Sequence, residues 1–581
     1  MRTALFLATL FLTTSLLAAQ PADLILVNGK VTTLDPDKPA ATAVATRGEF
    51  VVAVGTDAEV RALAGPQTRV IDAGGRRVIP GLNDSHLHAT RAGKFWNLEL
   101  RWDDVGSLAR GLELIRDQAK RTPPGQWVRV IGAWSPFQFE ERRLPTPAEL
   151  TAASPDVPVF VLFLYSKGYL NKAGVAALGI TDKTQPPPGC RIELTPDGGA
   201  VLHAEPSPMI LYQTVARLPG LSAEDQVNST RRFYRELNRL GVTSAVDAGG
   251  GGHAFPDDYG ASITLAAAQK FPVRIGYYLF AQKPGTELAD YERWTAEQKL
   301  QFNLATARLN GLVATGAGEN LVWSAGDFEN FMAPRPELDP KHKDQLTAVV
   351  RRLTRAGWPI RIHATYDESI TKVLDVFEPV FAENNYAARW AIDHAETLGD
   401  ANLARIKRLG GGVAVQNRMY FAGEYFVERY GPDAARNAPP LRKLLDAGVP
   451  FGAGTDATRV SSHNPWFSLY WLVTGKTAGG LQLAAAENRL SRVEALTLYT
   501  VGSAWFTGEE KAKGRLKPGQ LADFAVLSAD FFEVPEDKIR AITSDLTVVG
   551  GDVVYAADAF AAHAPAPLPP VAPSWSPAPN R

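Results

Sequence analysis

The sequence predicts an α/β protein: a (β/α)8 TIM barrel carrying a small β-sandwich built from both chain ends. Three observations predict it. Strand-like and helix-like segments alternate through the middle of the chain, as they do in parallel sheets. Short alternating strands recur near both termini, each set too small to stand alone. The 581 residues are 45% hydrophobic and 21% charged, enough for a large core and incompatible with a mostly disordered chain.

The elements follow in order. Arg2, the apolar run ALFLATLFLTTSLLAA and a Gln-Pro break describe a secretory signal peptide over residues 1–19, with cleavage near Ala18 or Ala19. The run is shorter than the roughly 20 residues that span a bilayer, so no stable membrane anchor is expected after cleavage. Export, to a bacterial periplasm, is the expected destination. Cys190 is the only cysteine, which excludes an internal disulfide, a cysteine zinc site and an iron–sulfur cluster held by this chain alone.

Residues 20–78 read as short strands (LILVNGKVTTL, AVATRGEFVVAVG, RVIDAGGRRVI), and the same texture returns within 513–562 (ADFAVLSAD, LTVVGGDVVYAA). One sandwich made from both pieces is the economical solution. The barrel then spans 79–512. Its strands are expected before His86 and at 241–249, 271–280, 319–328, 358–364, 389–395, 411–417 and 449–457, eight in all, the number that closes a barrel. Residues of about 100–235 become an insertion after the first strand, with strand candidates QWVRVIGAW and PVFVLFLYS. Residues 563–581 are proline-rich and expected to be disordered.

Lys plus Arg total 61 and Asp plus Glu 62, so charge offers no case for a nucleic-acid partner. The expected partner is a small-molecule substrate; a homo-oligomer is compatible with the sequence. Of nine histidines, four stand at strand ends: His86 and His88 in VIPGLNDSHLH, His363 in IRIHA and His394 in AIDHA. Asp456 ends FGAGTD. In a barrel these ends converge on one face. Alternate residues of a strand point the same way, so His86 and His88 can grip one ion. Imidazoles with one carboxylate suit Zn²⁺, the expected ion, and also Fe²⁺, Ni²⁺ or Mn²⁺. Singly each residue is unremarkable: a lone histidine is commonly a satisfied core residue, and Asp456 could cap a helix. The joint pattern favours metal.

With Pro80-Gly81, Asp84-Ser85-His86-Leu87-His88, His363, His394, Gly454-Thr455-Asp456 and the closing KGRLKPGQLADFAVL, the sequence resembles the amidohydrolase superfamily. The segment RLPTPAELTAASPDVPVFVL resembles the branch that includes N-substituted formamide deformylases. The resemblance implies a metal-dependent hydrolase of a non-peptide C–N bond in an amide, formamide or cyclic amide. His86, His88, His363 and Asp456 would hold the ion. Asp456 would act as general base and then acid. His394 would be a further ligand or would stabilise the oxyanion.

Lys167, Tyr366, Gln416, Arg418 and Arg459 are the candidate substrate contacts, with ion pairing or solvation as their ordinary alternative. The resemblance also places the expected bridging lysine of a two-ion centre at Trp323, inside the strand expected at 319–328. An indole N–H cannot ligate a cation, so one ion is expected rather than two, unless Asp327 or Glu329 supplies the bridge. Two other functions remain open. A deaminase on this fold would want a glutamate shortly after His363, where Asp367 and Glu368 stand. An exported, non-catalytic binding relative would not need the intact histidines.

Overall fold

The computed structural model describes residues 20–578, apart from 206, 253, 269–270, 301–310, 328–330, 333–334 and 336. The expected signal peptide, 1–19, lies outside the described residues, as does Glu329. Among the described residues no helix is long and apolar enough to cross a membrane.

Eight parallel strands form the barrel: β1 (Leu82–Leu87), β2 (Val242–Asp247), β3 (Arg274–Leu279), β4 (Leu312–Ala317), β5 (Ile360–Ala364), β6 (Trp390–His394), β7 (Gly412–Gln416) and β8 (Phe451–Gly454). They are buried nearly throughout because helices cover the outer face. The helix Asp367–Glu383 shows how. Its Ile370, Val373, Leu374, Phe377 and Phe381, at three- and four-residue spacing, are buried.

The seam between β8 and β1 is closed by side chain and backbone. Asp84 accepts the Thr455 N–H at 3.1 Å and the Thr455 hydroxyl at 2.6 Å, and the Asp456 N–H donates to the His86 carbonyl at 2.8 Å. Gly454 permits this approach: a Cβ there would sit 2.6 Å from the His86 nitrogen.

The two chain ends join as expected. Phe524–Leu527 pairs antiparallel with Arg77–Pro80 inside a six-stranded sheet, and a four-stranded sheet holds Leu24–Val27 and its neighbours. Leu26, Val44, Val78, Phe524, Val526 and Leu546 fill the space between them. A buried pair ties sandwich to barrel: Arg274 reaches Asp523 with two hydrogen bonds of 2.9 and 3.2 Å. Removing one partner of such a pair costs about 3–5 kcal/mol, because it strands the other charge.

The insertion after β1 builds its own six-stranded sheet from Glu99–Leu100 to Ala200–Ala204. Two expectations are corrected. The fourth barrel strand is Leu312–Ala317; the described part of the apolar run expected at 319–328, residues 319–327, is a loop with a single 3-10 turn, Trp323–Ala325. The proline-rich end is also not loose as far as residue 578. Asn97 donates to the Ala572 carbonyl at 2.8 Å, Gln118 donates to that of Trp575 at 2.7 Å, and Ser576 is buried.

Candidate metal centre

The strand ends bring His86, His88, His363, His394 and Asp456 together, all buried, and add a residue the sequence reading missed, Glu319. Glu319 lies two residues past β4. Its N–H donates to the Ala248 carbonyl at 2.6 Å, and its carbonyl accepts the His363 N–H at 2.9 Å, so its backbone is wedged between the ends of β2 and β5. Gly318 before it has φ +139°, and a Cβ there would lie 2.4 Å from the Arg361 carbonyl, so only glycine fits.

The Glu319 carboxylate touches all four histidines. Oε2 is 3.2 Å from His394 Nε2, 3.4 Å from His363 Nδ1 and 3.5 Å from His86 Nε2, while Oε1 is 3.5 Å from His88 Nε2. Asp456 Oδ1 lies 3.0 Å from His88 Nε2 and 3.7 Å from His86 Nε2. His394 and Asp456 hold left-handed backbone conformations, φ +79° and +58°. Such conformations cost of order 1 kcal/mol or more and persist where surroundings enforce them, often at functional sites.

Three rings are fixed from behind. His86 Nδ1 is 3.3 Å from Asp393, whose carboxylate is gripped by Arg361. His88 Nδ1 bonds the Gly249 carbonyl. His363 Nε2 is 3.1 Å from Asp327, which also accepts the N–H groups of Thr365 and Tyr366. This is the outer support that orients imidazole ligands. On the inner side, His86 Nε2 and His394 Nδ1 have no hydrogen-bond partner.

The charges point the same way. Burial opposes ionisation of Glu319, but the His86 charge and the hydrogen bonds from His363 and His394 hold its pKa well below the ordinary value. Burial likewise opposes ionisation of Asp456, and its hydrogen bond with His88 helps bring the pKa down. Burial disfavours a charged His363, yet Asp327 and Glu319 outweigh it and push the ring up to about 10. Burial, aided by Arg418 and His363, pushes His394 down to about 3. The cluster attracts positive charge. Two sets of potential ligands, His86–His88–Asp456 and His86–Glu319–His394, each come within 4.8 Å. Orphaned imidazole nitrogens facing ionised carboxylates fit a divalent cation.

The cluster opens into a cavity of ≈ 30 Å³. Arg91, Tyr165, Tyr212, Phe280, Trp323 and Arg418 line it. Of the expected substrate contacts, Arg418 is there, bound to Glu396 at 2.8 Å. Arg459 lies against the face of Tyr212, 5.5 Å from its centre. Three others are placed elsewhere. Lys167 sits on the insertion sheet opposite His203, and Tyr165, two residues earlier, reaches the cavity instead. Gln416 turns back to the Ala414 carbonyl at 2.9 Å, a local bond that its position after β7 does not reveal. The Tyr366 hydroxyl meets that of Tyr430 at 3.4 Å. Trp323, expected inside the fourth strand, lines the wall and donates its indole N–H to the Ala281 carbonyl at 3.0 Å.

The chain resembles known proteins in sequence and fold. The chain is 26% identical to an N-substituted formamide deformylase of Arthrobacter pascens, over 92% of this chain and 99% of that one. An uncharacterized metal-dependent hydrolase from Pyrococcus horikoshii shares the fold, with TM-score 0.64, 21% identity and coverage of 88% of this chain and 99% of that one. The zinc-complexed atrazine chlorohydrolase TrzN of Arthrobacter aurescens shares it more distantly, with TM-score 0.50, 16% identity and coverage of 92% and 95%. The model of the amidohydrolase family matches residues 69–555, and with its barrel and buried histidine–carboxylate cluster this chain belongs to that family of metal-dependent hydrolases.

Proposed function

We propose that the protein hydrolyses a non-peptide C–N bond, in an amide, formamide or cyclic amide. The observation that carries this reading is Glu319 lodged among four histidines, three of them braced from behind, at the mouth of a small cavity. The similarity to a formamide deformylase supports it. His86, His88 and Asp456 would hold one divalent ion, and Glu319, with His394 and His363 beside it, would hold a second. The one-ion expectation rested on Trp323 at the bridging position inside the expected fourth strand; the Glu319 carboxylate just past the observed fourth strand removes its premise. Zn²⁺ suits the donor set.

The bound ions would acidify water and polarise the scissile carbonyl. The rest falls to the chain's own groups. Asp456, held as the anion, accepts the proton of the attacking water and passes it to the leaving nitrogen. The water oxygen ends on the acyl carbon, the C–N bond breaks, and the amine departs. Arg418, anchored by Glu396, lies 4.0 Å from Asp456 Oδ2, and the hydrogen bond with His88 helps keep that carboxylate ionised.

The acids that the deaminase reading needs are engaged elsewhere. Asp367 accepts the N–H of Gly399 at 2.7 Å, and Glu368 pairs with Arg335 on the surface, so neither acid faces the cavity. The intact cluster speaks against a purely binding relative. The apolar leader at 1–19 supports export to the periplasm. A panel of N-formyl and N-acyl compounds, offered to metal-loaded and chelated protein, tests the reading. Amine release that needs metal supports it; ammonia release from aminated heterocycles, or no cleavage across the panel, sinks it.

A further inference from the structure

Resting on that reading, we infer that Arg91 makes the site selective for substrates that carry a carboxylate close to the scissile C–N bond, together with a flat apolar group. Arg91 lies one turn beyond His88 on the helix Ala89–Phe95 and is 4% exposed. Its Nη1 donates to the Gly251 carbonyl at 3.2 Å, and its Nε has no partner. Among the described residues no carboxylate pairs with it. The other buried arginines near the site are different: Arg361 holds Asp393 and Arg418 holds Glu396. A buried guanidinium without a counter-charge is costly.

The anions nearest in the cavity are Asp456 and Glu319. Cations in the centre would neutralise both and leave Arg91 the uncompensated charge of the wall. A substrate carboxylate supplies the missing partner, and a planar guanidinium suits it. The rest of the wall is aromatic. Tyr165 and Tyr212 stack with centres 5.3 Å apart, and Phe280 meets Trp323 edge-on at 5.6 Å. Arg91, Asp456 and His88 line the same cavity, so the carboxylate and the cleaved bond belong to neighbouring parts of the substrate.

The test compares N-formylphenylalanine with N-formylphenethylamine, which lacks only the carboxylate. The ratio is read as kcat/KM where cleavage occurs and by calorimetric titration of the metal-loaded protein where it does not. A charge-assisted pair predicts that wild type prefers the acid by about 10- to 100-fold. The preference should collapse towards one in Arg91→Met and survive in part in Arg91→Lys. A wild-type ratio near one overturns the inference and needs no variant. So does a preference that both variants retain, which would locate carboxylate binding at the metal. Equal cleavage of both compounds removes the carboxylate subsite and leaves the hydrolase reading standing. Acid-selective binding lost in Arg91→Met, without cleavage of either compound, does the reverse.

Discussion

The floor and the wall of the site are built on different terms. On the floor, the β-strand ends deliver His86, His88 and His363, and each ring is fixed from behind by Asp393, the Gly249 carbonyl or Asp327. On the wall, Tyr165 and Tyr212 come from the insertion, and the buried Arg91 keeps an unused donor. Rigid support suits groups that must hold a cation at fixed distances. Spare hydrogen-bonding capacity suits groups whose partner arrives with the substrate. The division separates chemistry, fixed by the barrel, from selectivity, set largely by the loops.

The hardest way to break the comparison is at the floor. Replacing His86 and His88 together with Ala should abolish both tight metal binding and turnover while the far-ultraviolet circular dichroism stays native. Elemental analysis of the purified variant checks it, and full activity would refute the floor as drawn. One shell outward the effect should shrink. Asp327→Asn keeps the shape but weakens the brace on His363, and should lower metal affinity or activity about 10- to 100-fold. A competition titration with a chelator reads the change.

The wall should respond differently. Tyr212→Ala removes the stacking partner of Tyr165 and the ring under Arg459. It should change the ranking of substrates, by about 10-fold for aromatic ones, without altering metal content. Equal losses for all substrates, accompanied by lost metal, would erase the distinction between floor and wall.

The smallest expected effect lies far from both. Glu494 closes a capping box with Ser491 and pairs with Arg442, which, against some burial, holds its pKa down at about 2. Because the folded value is depressed, its stabilisation is present above the unfolded carboxylate range near 4.5 and fades as pH falls towards 2. The pair is about one-third exposed, so Glu494→Gln should cost no more than about 1 kcal/mol near neutrality and less at pH 3. Urea unfolding at the two pH values checks the sign.

Much of the floor was legible in the sequence, because five of its residues end segments with clear strand patterns. Glu319 was not. The strand before it, LVATGA, has only two large apolar residues, and the run ENLVWSAGDF has the stronger strand pattern. A usable signal was present: Gly316-Ala317-Gly318-Glu319 has the form of Gly452-Ala453-Gly454 before Thr455-Asp456, small residues leading to a carboxylate at a barrel mouth. The wall was less legible. Arg91 sits in a helix where burial cannot be read from spacing alone, and Tyr165 reaches the cavity only because of how the insertion sheet folds back. The tail misled for another reason. Proline-rich composition excludes helix and central strand, but an extended segment can still be held by side chains such as Asn97 and Gln118 from elsewhere in the fold.

The most direct test of the account is the metal content of the active protein. Exhaustive chelation, followed by stepwise return of Zn²⁺, should take turnover from nothing to full, with saturation at two equivalents per chain. Glu319→Ala should bind fewer. Full turnover in protein freed of metal would contradict the account, and saturation at one equivalent, unchanged in Glu319→Ala, would remove Glu319 from its centre.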